Sequence, residues 1–259
     1  METTTAKIIL VMEYDGTNYF GFQLQANRPD QPTIQSELER AIVRLTGEEL
    51  RVVAASRTDT GVHAKGQVVS IRTKSSLSPW TFVSGLNHYL PEDISVTSAY
   101  KVDESFNVRT NAVNREYRYY ILNRNTRSAL KRHFAYQVVV PLNVDAMNRA
   151  SQVMIGKHDF ASFTCSLAGK IKTVKNVTDS KVEYQDDTII FSITSNSFLP
   201  HQIRNTVGAL IQVGSGKMNV SDFYDMMNAV QPGLAGQRAP AKGLFLMKVN
   251  YSKPFGEEN

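Results

Sequence analysis

Cysteine is almost absent from this chain. Cys165 stands alone among 259 residues, so no intrachain disulfide can form, and a reducing, cytoplasmic setting is expected. Zinc-type Cys/His spacing is missing as well, and the five histidines form no ligand pattern. Metal dependence therefore gains no support, and His63, His158 and His201 read as structural. Long apolar runs are lacking too: the run near the start, Ile8 to Met12, is too short for a membrane span or a signal-peptide core. No Gly/Ser linker, block of like charge or low-complexity tract divides the chain. Any domain boundary has to come from the order of elements.

What is present is length enough to bury a sizeable core unaided, and a surplus of base over acid. Lys and Arg number 29 against 24 Asp and Glu, a net charge of +5, which favours polyanionic partners where the charge is clustered. Clustering occurs between Arg115 and Arg132. There Arg115, Arg118, Arg124, Arg127, Lys131 and Arg132 face a single acid, Glu116, and are interleaved with Tyr117, Tyr119 and Tyr120. Guanidinium groups hold phosphates while tyrosine faces stack bases, one stacked base contributing ~1–3 kcal/mol. A half-buried strand with core-facing tyrosines and solvated arginines gives the same pattern. Tyr119 fits that second reading better; Tyr117 fits either.

Apolar periodicity orders the elements. Lys7 to Tyr14 reads as a strand running into YDGTNYFGFQLQ, where Asp15-Gly16 and Gly21 mark turns. Ile34, Leu38, Ala41, Ile42 and Leu45 share a helical face, with Thr33 capping its start and Gly47 its end. Strands at about 51–56 and 66–73, a helix near 78–89 and a strand from Ile94 to Tyr100 follow. Then come a strand from Arg115 to Leu122 and a helix from Asn143 to Ile155, whose exit loop carries His158-Asp159-Phe160. Strands at about 172–184 and 188–195 precede a helix with Leu199, Ile203, Val207, Leu210 and Ile211 on one face. The last helix is capped by Ser221, with Phe223, Met226, Met227 and Val230 inward, and RAPAKGLFLMKVNY ends in a strand. Each half runs strand, helix, strand, strand, helix. That order predicts an α+β protein of two similar α/β-sandwich halves, residues 1–110 and 111–259, with mainly antiparallel sheets joined around a central basic cleft.

The stretch AASRTDTGVHAKGQVV, Ala54 to Val69, is the one the rest is organised around. Asp59 lies on a turn built from Thr58, Thr60 and Gly61 between two short apolar runs. Arg57, two residues earlier, favours its ionised form. Such a carboxylate can act as a nucleophile or can merely hydrogen-bond its own turn. Arg204, near the start of its helix, can reach a neighbouring loop or can be an ordinary surface arginine.

Seven ordered blocks then resemble one family along the whole chain. YDGTNYFGFQLQ, SRTDTGVHAKGQV, NHYLPEDI, FNVRTNAVNREYRY, HDFASF, NSFLPHQIRNTVG and APAKGLFL are similar to the motifs of the bacterial tRNA pseudouridine synthases of the TruA type. Ser56 stands where that family usually has Gly, Phe22 where Trp is usual and Asn107 where His is frequent. The resemblance implies that Asp59 is the catalytic aspartate, that Tyr117 stacks on the target uracil and that Arg204 pairs with Asp59. It also implies a homodimer without metal or cofactor, acting on tRNA uridines of the anticodon arm, at positions 38, 39 and 40.

Pseudouridine formation breaks the bond from ribose C1′ to uracil N1, turns the base and joins C1′ to C5. A carboxylate can attack the ring or the sugar carbon, and the sequence leaves both routes open. Burial would raise the carboxylate's pKa, so an arginine partner is required, with Arg204 ahead of Arg57. A uridine inside a stem must first be flipped out. Tyr117 would hold it, while Arg57, Arg109, Arg115 and Arg118 grip flanking phosphates or play solvated or structural roles. Two rivals compete. Asp59-Thr60-Gly61 is also the aspartic-protease tripeptide, but that chemistry needs two such aspartates and one copy is present. A non-catalytic RNA-binding protein would use the same basic cleft without needing Asp59, because a carboxylate facing phosphates weakens association.

Overall fold

The computed structural model describes residues 5–25, 27, 28, 30–165, 172–253 and 255. The elements in chain order are β1 (Ala6–Tyr14), α1 (Ile34–Thr46), β2 (Val53–Ala54), β3 (His63–Thr73), α2 (Pro79–Tyr89) and β4 (Ile94–Val102). These are followed by β5 (Ala112–Asn123), β6 (Tyr136–Val138), α3 (Val144–Gln152), β7 (Gly156–Asp159), β8 (Val174–Gln185) and β9 (Thr188–Ser195). Last come α4 (Gln202–Gly214), α5 (Val220–Asn228) and β10 (Leu244–Tyr251). With mainly antiparallel strand pairing and helices interleaved among the strands in sequence, the fold class is α+β. Among the described residues no helix is long and apolar enough to cross a membrane.

The chain forms two compact units, one running to Arg115 and resuming at Leu246, the other Glu116–Phe245. In the first, the strand order is β4-β1-β3-β10, with β2 also on β3. β1 pairs antiparallel with both neighbours, Leu10 opposite Val69 and Ile9 opposite Tyr100. Because it is central, β1 buries Ile8, Ile9 and Leu10 in succession rather than in alternation. α1 begins where Thr33 and Ser36 exchange side-chain and backbone bonds, and ends at Gly47 with φ 75. Leu38, Ile42, Phe82 and Leu86 of α1 and α2 are fully buried. In the second unit the order is β5-β9-β8-β7, with β6 parallel to β5. Met147, Phe163, Phe191, Leu210 and Phe223 form its core.

Several elements depart from the sequence reading. The expected loop at His158-Asp159-Phe160 is partly strand: β7 pairs Gly156 with Val177 and Asp159 with Val174, and α3 stops short at Gln152 to release it. β2 shrinks to two residues because the chain leaves the ladder after the Ala55 N–H bonds the Val68 carbonyl. The α5 cap is Asn219, whose side chain accepts from the Asp222 N–H; Ser221 donates to that same oxygen at 2.6 Å. Val230 lies past the end of α5 at φ 51 and is 44% exposed, not core. Ile211 is half-buried, since the inward face of α4 runs on to Val213.

Candidate active site

The Asp59 loop leaves β2 and returns at β3. Gly61 takes φ 75, and the Val62 N–H closes the turn on the Asp59 carbonyl at 3.1 Å. Thr58 is buried, Asp59 half-buried, and Arg57 and Thr60 exposed. The loop thus turns its carboxylate residue to a partly sheltered face.

The segment between β1 and α1 clamps this loop from the side. The Phe22 N–H donates to the Thr58 carbonyl at 3.0 Å, and the Gly61 N–H donates to the Tyr19 carbonyl at 3.3 Å. Gly21 sits at φ 85, and a Cβ there would stand 2.8 Å from the Thr58 carbonyl oxygen, so only glycine allows this approach. A Cβ on Gly16 would stand 2.0 Å from the Val62 carbonyl oxygen. The Tyr19 hydroxyl donates to the Asp93 carboxylate, and burial together with that carboxylate pushes its pKa well above the usual phenol range. In the sequence these glycines read as turn markers. Their role in packing on the Asp59 loop needs a partner about 40 residues away, which local pattern cannot show.

Three of the expected arginines gather at the loop's root. Arg109 is exposed, but its Nε donates to the Ala54 carbonyl at 2.9 Å. Burial and the neighbouring Arg57 charge both push its pKa down. Two like charges held side by side at a surface suit an anion between them. Arg115 differs: it is 8% exposed, and its Nη2 donates to the carbonyls of Ala55 at 3.2 Å and Arg109 at 2.9 Å. Its guanidinium is bound to the backbone on both sides of the root.

In the second unit, β5 alternates buried Tyr117, Tyr119 and Ile121 with exposed Arg118 and half-buried Tyr120. Tyr119 is fully buried and donates to the Pro240 carbonyl at 2.7 Å. Burial drives its pKa far up, against the nearby Arg204 charge, which pulls it down. Tyr117 packs edge-on against Phe198 at 5.2 Å. Arg204, in the first turn of α4, donates from Nε to the Ala239 carbonyl at 2.8 Å, and the Ala239 N–H returns to the Arg204 carbonyl at 3.0 Å. Tyr119 and Arg204 are therefore close, with Tyr117 further along the same face of β5, while Arg118 lies on the opposite face. Among the described residues no group of three or more His, Cys, Asp or Glu is placed to hold a metal ion.

An α+β scaffold that clamps one carboxylate amid arginines, and separately fixes an arginine beside strand tyrosines, has the parts of an enzyme acting on a polyanion. A family profile described as tRNA pseudouridine synthase matches residues 10–111 and 150–252. The tRNA pseudouridine synthase A of Thermoanaerobacter sp. (strain X514) is 39% identical over 244 residues, 94% of this chain and 99% of that protein. The protein of the same name from Acetivibrio thermocellus is 40% identical over 242 residues, 93% and 98% of the two chains. Bacillus cereus (strain ATCC 10987) tRNA pseudouridine synthase A 1 is 37% identical over 247 residues, 95% and 99%. The chain belongs to the tRNA pseudouridine synthase family and is an isomerase.

Proposed function

We propose that this chain converts uridine to pseudouridine in the anticodon stem-loop of tRNA, at positions 38, 39 and 40, with Asp59 as the nucleophile. The observation that most supports this reading is the backbone clamp on the Asp59 loop. A carboxylate residue whose neighbours are pinned by Phe22, Tyr19 and the close approach of Gly21 is held to a fixed geometry, as covalent attack demands.

Arg204 is the cation that keeps Asp59 ionised in a site closed to water; its Nε bond to Ala239 fixes the guanidinium plane. Tyr117 stacks on the flipped uracil. Arg57, Arg109 and Arg118 grip phosphates. Arg115, buried on backbone carbonyls, serves by holding Arg109 and the loop root in place. Residues 1–110 supply the carboxylate loop and residues 111–259 the tyrosine strand and the Arg204 helix. The working form is a cytoplasmic homodimer, and exchanging C1′–N1 for C1′–C5 calls for no redox partner or group donor.

The test is tritium release from tRNA transcripts labelled at uracil C5, comparing the purified chain with Asp59→Asn. Wild-type release with background levels from the variant, at tRNA affinity within about twofold, is expected. Unchanged release from Asp59→Asn overturns the assignment, and tight tRNA binding with no release from either protein favours an RNA-binding role. Arg118→Ala should flatten the log-log salt dependence of binding by roughly 0.9 for each phosphate that this side chain neutralises, while Arg115→Met should leave that slope unaltered.

A further inference from the structure

The floor of the Asp59 loop is a buried polar relay that starts on β3. Gln67, on β3, has no exposed surface, yet a well-packed apolar residue at such a position is ordinarily at least as stabilising. Its carboxamide is fully used. Nε2 donates to the Ser56 carbonyl at 2.8 Å and to the Tyr14 hydroxyl at 3.4 Å. Oε1 accepts from the N–H of Ser56 at 3.3 Å and of Val68 at 3.2 Å. Two N–H donors aimed at one end fix which end is oxygen, since a flipped amide would set donor against donor. Tyr14, 4% exposed, accepts from Gln67 and shares a hydrogen bond with Thr58 Oγ1 at 2.8 Å. Gln67 therefore grips both backbone polar groups of Ser56, its N–H and its carbonyl. Through Tyr14 it also reaches Thr58, the residue just before Asp59.

We infer that Gln67, Tyr14 and Thr58 are positioning residues that set the height and angle of the Asp59 carboxylate in the isomerisation, an inference that rests on the nucleophile reading above. None of them touches the reacting atoms. They act by removing play from the loop, and misplacement of a reacting group by about 1 Å can cost up to 10²-fold in rate.

The Tyr14–Thr58 bond can be cut from either side with little change of shape, Tyr14→Phe also removing the Gln67 contact to that hydroxyl. Tyr14→Phe and Thr58→Val each delete the hydroxyl contact, and each should lower kcat about tenfold with KM within about twofold. Because both remove the same bond, the double variant should be no slower than the slower single one. Thr58→Ser keeps the hydroxyl and should stay within about twofold of wild type. Amide exchange of residues 56–62, measured on the same proteins, should quicken about tenfold in the Phe and Val variants and not in the Ser variant. A kcat loss that multiplies in the double variant, an unchanged kcat, a lowered Tm as the sole effect, or unaltered loop exchange would each overturn the relay. If wild type itself releases no tritium, the isomerase reading falls, and loop exchange alone decides whether the relay holds the loop.

Discussion

Helices α1 and α4 are both 13 residues long, and they are begun in opposite ways. α1 carries its own instructions: a Thr33–Ser36 capping box, Glu37 in the first turn, Arg44 in the last and Gly47 in the left-handed conformation. α4 has none of these. Its N-cap, His201, sits at φ 62 without a side-chain cap bond, and its first turn holds no acid. Contacts from outside fix it instead: the Ala239 exchange with Arg204, and the Gln237 carbonyl against Gly208. A helix coded at its ends is free to serve as packing. One whose first turn presents Arg204 carries no acidic residue of its own in that turn, so the helix itself supplies no charge opposite that arginine or the positive end of its dipole.

The largest expected effect follows from Gly208. On propensity alone, Gly208→Ala should stabilise a helix interior by about 1 kcal/mol. The new Cβ would instead stand 1.9 Å from the Gln237 carbonyl oxygen, and a backbone atom cannot turn aside. Overpacking of this kind costs ~1–3 kcal/mol, occasionally more, so we expect a net loss of roughly 2 kcal/mol in denaturant unfolding. The 237–239 loop should also release Arg204, with at least a tenfold fall in isomerisation. A more stable Gly208→Ala protein would show that α4 is not held from outside.

The same contrast explains what could be read from the sequence. α1 was legible to its caps because Thr33, Ser36 and Gly47 act within one or two turns. The strand β5 and the burial of Tyr119 were legible from alternation, and the turn that carries Asp59 from Thr58, Thr60 and Gly61 around it. Three features were not. β6 and β7 are short strands whose ladders depend on distant partners, β5 and β8. Gly16 and Gly21 look like turn glycines, yet the atoms that require them belong to Thr58 and Val62. Arg115 looks like its exposed neighbours in a basic run, and only the fold shows that it bonds Ala55 and Arg109.

Smaller effects sharpen the contrast from the α1 side. Thr33→Ala should remove one capping bond, cost about 1 kcal/mol and leave isomerisation unchanged; a large activity loss would link α1 to the site. α5 is an intermediate case. Its start is capped by Asn219, but it ends without a glycine, and Val230 just beyond takes φ 51 while 44% exposed. A β-branched residue is poorly suited to that region. Val230→Gly should therefore raise stability, by somewhat less than about 1 kcal/mol after the added freedom of the unfolded chain. A destabilised variant would mean that Val230 makes apolar contacts that outweigh its backbone strain.

The smallest effect lies where α1 hands over to the rest of its unit. Glu48, next after Gly47, accepts from the Thr73 hydroxyl at 2.6 Å and from the N–H groups of Lys74 at 3.0 Å and Ser75 at 3.1 Å. Desolvation raises its pKa, but these bonds and the Lys74 charge outweigh it, and the net shift is downward. A carboxyl more acidic in the folded than in the unfolded chain stabilises fully above the ordinary glutamate range, and that stability is lost as pH falls through its folded value. Glu48→Gln should thus cost about 0.5 kcal/mol at neutral pH, since the group is half-exposed and partly screened. The gap from wild type should close below the ordinary glutamate range, as read from urea midpoints against pH. If α1 is fixed by its own caps, losses from Thr33→Ala and Glu48→Gln should add. A double variant much less stable than that sum would mean that the Thr33 cap at the start of α1 and the Glu48 tether just past its end act together, so that even α1 relies on its surroundings.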